Sequence, residues 1–158
     1  MTNAIHPDVA PLAFLLGTWR GEGAGEYPTL EAFRYGEEMT FEHAGLAYLM
    51  YAERSWLLDG ARTPVHFERG FVRPAGDGRA ELVLAHPIGV VEVADGAVDG
   101  RRLEFTSIAT FSTPTGEPVR ALRRRIEVDG DVLRYEMDMA TEGVELSRHL
   151  RAELRRVA

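Results

Sequence analysis

The side chains best able to do chemistry in this chain are five histidines, His6, His43, His66, His86 and His149, and no cysteine accompanies them. Imidazole changes charge near neutral pH and is a common metal ligand, so each is a candidate for acid–base work or ligation. Without a thiolate there is no disulfide, no sulfur-ligated metal and no cysteine nucleophile. No pair of histidines has zinc-site spacing and no Glu-x-x-His falls on a convincing helix, so a metal site of histidines alone is not expected. Glu37, Glu38 and Glu53 raise the question of paired catalytic carboxylates, as in glycosidases. Strand neighbours face opposite ways, so Glu37 and Glu38 cannot form one dyad. The run Arg123-Arg124-Arg125 is split between faces in the same way and reads as solvated or salt-bridged.

The stretch that must position these groups is Gly17–Thr29, GTWRGEGAGEYPT. Gly17, Trp19, Gly21, Gly23, Gly25 and Tyr27 recur with a period of two, and Thr18, Arg20, Glu22, Ala24 and Glu26 occupy the alternate positions. In a strand that puts a bare or aromatic face opposite a mostly polar one. Several glycines on one face mark a bend or a close approach by another group, as a small curved barrel requires. The spacing is not that of a nucleotide-binding loop, since no Gly-Lys-Ser/Thr follows and Tyr27-Pro28 stands where a helix would open.

Turn signals recur at Asp59-Gly60, Pro74–Gly78, Asp95-Gly96 and Asp129-Gly130, with short β-rich runs between them. That spacing predicts an all-β sandwich or barrel. His6-Pro7-Asp8 caps a short helical turn over Val9–Leu16, with Leu12, Leu15 and Leu16 on one face. At the other end Leu146, Leu150 and Leu154 stand four apart, which single-sequence rules read as a helix. Residues 1–158 are expected to form one domain. A formal net charge of −7 argues against nucleic acid or an anionic membrane as partner. The first eight residues lack the regions of a signal peptide and no apolar run has membrane-spanning length, so a cytoplasmic protein is expected.

The glycine stretch with Leu30, followed by Phe33-x-Tyr35-x-Glu37-Glu38, resembles the signature of the nitrobindin family of haem-binding β-barrels, G-x-W-x-G-x-G-x-G-x-Y-P-T-I. Leu30 stands in place of the final isoleucine, and the resemblance runs over nearly the whole chain. It implies an antiparallel barrel of about ten strands, of the fatty-acid-binding-protein and lipocalin type, after a short N-terminal helical turn. It also makes His149–Val157 the closing strand instead of a helix. Each chain would hold one haem b with His149 as the iron ligand, and Thr29, His66, His86 and Met139 would line the haem cavity. The porphyrin supplies four ligands, so one histidine suffices. Strict alternation puts His149 on the face of Arg151 and Glu153, so ligation requires the barrel mouth or a bulge. Trp19 and Tyr27 read as barrel core. The implied function is that of a ferric haem protein that binds nitric oxide and isomerises peroxynitrite to nitrate. The alternative is a non-enzymatic carrier of haem or a small apolar ligand, and a homodimer is left open.

Overall fold

A computed structural model describes residues 4–158. The chain opens with a 3-10 helix over Pro7–Leu15. Ten strands follow: β1 (Gly17–Tyr27), β2 (Leu30–Glu42), β3 (Leu49–Leu57), β4 (Pro64–Gly76), β5 (Arg79–His86), β6 (Val90–Asp99), β7 (Arg102–Ser112), β8 (Val119–Asp129), β9 (Val132–Thr141) and β10 (Val144–Arg156). Each pairs antiparallel with its sequence neighbours, and β1 pairs with β10 to close the barrel. Closure leaves no unpaired sheet edge. Among the described residues, no helix is long and apolar enough to cross a membrane.

His6 caps the helix as expected, its Nδ1 accepting from the Asp8 backbone N–H at 3.2 Å. The buried face is Val9, Leu12 and Leu15, with Leu16 only half-buried. A 3-10 helix has three residues per turn, so side chains three apart eclipse one another and Leu16 falls off the stripe. The helix packs its buried residues into the core at one end of the barrel, with Trp19, Met39, Phe41 and Leu49. The Trp19 indole N–H donates to the Leu15 carbonyl at 2.7 Å and ties helix to barrel.

The bare face of β1 is filled from next door. A Cβ on Gly23 would lie 2.5 Å from the Tyr35 ring and 2.6 Å from the Arg151 carbonyl oxygen. One on Gly25 would lie 2.1 Å from the Phe33 ring. The glycines therefore let two aromatics of β2 lie across β1, a packing that no larger residue permits. Gly23→Ala should destabilise the barrel by about 1–3 kcal/mol through overpacking. Chemical denaturation with an unchanged slope and a lower midpoint would register it.

Two sequence expectations are corrected. Asp95-Gly96 is no turn: it lies inside β6, where a Cβ on Gly96 would meet the Phe105 ring at 2.4 Å. The chain turns instead after Asp99, at Gly100 with φ +58°. The helical spacing of Leu146, Leu150 and Leu154 is overruled by pairing with β1 and β9, and the strand starts at Val144, earlier than expected.

Candidate functional site

Along its axis the barrel interior has three levels. The helix-plugged end is apolar, the middle is a layer of charged and phenolic side chains, and above that layer a cavity of about 500 Å³ opens at the far end. Leu30, Leu57, Val65, Ile88, Val119 and Leu150 give the cavity apolar walls.

His149 enters this cavity through an irregularity in β10. Arg148 pairs with Asp138 and Leu150 with Met137, so His149 is an extra residue opposite a continuous β9. Such a bulge re-aims a side chain that strict alternation would send outside. Arg148 remains outside, bonded to Asp138 and Glu136, while His149 and Leu150 both line the cavity. The His149 Nδ1 lies 3.1 Å from the Glu26 carbonyl oxygen. A carbonyl only accepts, so Nδ1 carries the proton and Nε2 keeps its lone pair. Burial lowers the His149 pKa, with the charge of His66 acting the same way, and the imidazole is neutral at neutral pH. Tyr27 meets the ring edge-on at 5.2 Å and donates its hydroxyl to the Met139 carbonyl.

His66, His86 and Met139 also line the cavity. Thr29 sits in the exposed turn between β1 and β2, beside Leu30 at the mouth. Trp19 belongs to the fully buried apolar end.

The charged layer is what sequence reasoning did not foresee. Arg124 is buried and bridges two buried carboxylates, Glu68 (Nη1 to Oε1 2.7 Å) and Glu92 (Nη2 to Oε2 2.8 Å), and it donates to Tyr135. Tyr51 donates to Glu68 at 2.8 Å. Alternation did separate the three arginines, with Arg123 and Arg125 outside on Asp138, but the inward one is sealed in the barrel. Burial opposes charge on Glu68, yet Arg124 first, then His66 and His86, hold its carboxyl well below the usual range.

Glu37 and Glu53 share this interior without a cation of their own. Burial, reinforced by the charge of Glu68, pushes Glu37 up to about 8 and Glu53 up to about 10. Both are therefore neutral acids at neutral pH. Because the folded values exceed the ordinary 4.5, the folded state holds protons that the unfolded chain has released. Their stability contribution is complete below about pH 4.5 and is lost as pH rises through the folded values. Glu37→Gln and Glu53→Gln should each gain stability relative to the parent between pH 5 and 8, with the gain vanishing near pH 4. Urea midpoints across that range check it, and a constant difference would contradict it.

The alternation that hides these groups also reveals them. Tyr35, Glu37, Met39 and Phe41 on β2, and Leu49, Tyr51, Glu53 and Ser55 on β3, are runs of inward positions interrupted by a carboxylate. Glu68 and Glu92 break the inward rows of β4 and β6 in the same manner.

Residues 8–156 match the model of the THAP4-like, heme-binding beta-barrel domain family. The chain belongs to that family. It is 45% identical over 157 residues to a protein named peroxynitrite isomerase from Nocardia farcinica, covering 97% of this chain and 93% of that one. A relative from Arabidopsis thaliana bearing the same activity in its name is 41% identical over 152 residues, covering 95% and 89%. The crystal structure of Rv2717c from M. tuberculosis superposes with a TM-score of 0.91 at 37% identity, covering 98% of this chain and all of that one.

The residues present fit the haem of this family. One neutral imidazole presents a free ring nitrogen to an apolar-walled chamber, with its other nitrogen fixed by a backbone carbonyl. That is the donor arrangement a single-histidine haem site uses.

Proposed function

We propose that the chain is a ferric haem-b protein that isomerises peroxynitrite to nitrate and binds nitric oxide, with His149 as the protein's ligand to iron. The observation that carries this reading is the bulged, neutral His149 facing the cavity of a barrel of the heme-binding family. Haem held there would supply Lewis-acid chemistry suited to rearranging an anionic peroxide.

The protein's own part is to hold, orient and exclude. The Nδ1–H donated to Glu26 fixes the tautomer and the ring orientation, and burial keeps a competing proton off Nε2. Apolar walls receive a porphyrin face by burying area, at roughly 25 cal/mol per Å². The isomerisation is proton-neutral overall, so no side chain has to act as a stoichiometric acid or base. His66 and His86 line the cavity that would receive the haem, and in this reading they would not ligate iron but would offer an imidazole N–H to an oxygen of the substrate. Met139 completes the lining, while Thr29 lies exposed in the β1–β2 turn outside it.

Stopped-flow mixing of peroxynitrite with the ferric holoprotein tests the activity. Decay should accelerate in proportion to holoprotein, with nitrate as product and less nitration of added tyrosine, while apoprotein does neither. Equal decay with both forms would instead favour the carrier reading, in which the barrel stores haem or a small apolar ligand.

A further inference from the structure

Two imidazoles and a carboxylate converge on the cavity side of the charged layer. We propose that His66, Glu68 and His86 form a three-ligand site for a divalent cation of the zinc type, separate from His149. The His86 Nδ1 lies 3.2 Å from the His66 Nε2 and 3.2 Å from the Glu68 Oε2, and the last two are 3.6 Å apart. A four-coordinate cation with ligands at about 2.0–2.2 Å spaces neighbouring donors about 3.3–3.6 Å apart, which is the size of this triangle. His66 and Glu68 are two apart on β4, hence on one face, and His86 ends the adjacent β5. All three line the cavity, so a fourth position is open to water or a small anion.

His86 has a carboxylate at each nitrogen, Glu92 at 3.3 Å from Nε2 and Glu68 at 3.2 Å from Nδ1. With Nε2–H donated to Glu92, Nδ1 is free to ligate, the carboxylate–histidine–metal pattern. Glu68 is oriented by Tyr51 and Arg124 on Oε1, and its Oε2 accepts from Arg124 Nη2 at 3.0 Å while its second lone pair faces the imidazoles. The single Arg124 guanidinium is shared between Glu68 and Glu92. The Oε2 atoms of Glu37 and Glu53 are buried without a hydrogen-bond partner on the same cavity. Two nitrogens and one oxygen favour zinc, copper or nickel over magnesium or calcium. A cation here would also take the His66 nitrogen that a haem ligand could otherwise use.

The test is zinc uptake by the full-length chain, haem-loaded and haem-free, measured by metal content after dialysis and by competition with a chromophoric chelator. Wild type should hold one zinc per chain, and Glu68→Gln and His86→Ala should bind at least tenfold more weakly while keeping the strand circular dichroism. His149→Ala should lose haem and keep zinc, so failure here is distinguishable from failure of the haem assignment. Cobalt(II) in haem-free wild type should give the strong visible bands of four-coordinate geometry. No zinc uptake by wild type would overturn the proposal. Uptake unchanged in His86→Ala, uptake lost in His149→Ala, or weak six-coordinate cobalt bands would overturn it as well.

Discussion

His149→Ala should weaken hemin binding at least a hundredfold and abolish the native ferric Soret band, while the barrel stays folded. The imidazole is placed by a register shift and held by one backbone acceptor, and no second histidine occupies the bulge. Removing a ligand should exceed the roughly 10–100-fold losses typical when only a ligand's hydrogen-bond partner is removed. The fold should survive, since His149 is only partly buried and the strand pairing of β10 with β1 and β9 runs through backbone groups. Hemin transfer to a competing apoprotein measures the effect; affinity equal to the parent's would remove His149 from the iron. His6→Ala, on the capped helix at the opposite end, should leave binding unchanged.

Arg124→Met should destabilise the barrel by about 3–5 kcal/mol at pH 7, the largest stability effect expected in the chain. Removing one partner of a buried ion pair leaves charge poorly compensated, and here Glu68 and Glu92 both lose their arginine and keep only imidazoles as ionic partners. The pH dependence separates this from lost packing. In the parent, Glu68 and Glu92 have lowered pKa values, so their contribution is present above the ordinary carboxylate range and lost as pH falls through the folded values. In the variant only His66 and His86 oppose burial, so both pKa values rise and less of the stability at neutral pH comes from the ionised carboxylates. The gap between parent and variant should narrow as pH falls from 8 toward 4, because the variant's folded state takes up protons that the parent's excludes. A gap constant from pH 4 to 8, read from urea midpoints, would mean that Arg124 acts through packing.

Much of the fold was legible because a closed barrel obeys period-two alternation and short turns. The inward faces of β1, β2 and β3 follow from parity alone, and Asp129-Gly130 marks the β8–β9 turn, with Gly130 at φ +56°. Misreadings arose where a residue does something other than its commonest job. Gly96 is needed for the approach of Phe105 and not for a turn, which composition cannot distinguish. The leucines of β10 mimic a helical stripe because a spacing of four fits both a helical turn and period two, and two register shifts interrupt alternation between Val144 and Leu150. The second of these turns His149 inward, and parity alone placed it outside. Arg124, Glu68 and Glu92 escaped notice because their partners are 32 and 56 residues away from Arg124, contacts that exist only once the barrel closes.

The most direct test of the account is the ferric spectrum of reconstituted wild-type protein before and after nitric oxide is added. One imidazole on iron, with the other axial position open, predicts a high-spin resting spectrum and prompt conversion to a nitrosyl form. His66→Ala and His86→Ala should leave that resting spectrum nearly unchanged. A low-spin bis-imidazole spectrum that resists nitric oxide, and becomes high-spin on replacing His66 or His86, would contradict it.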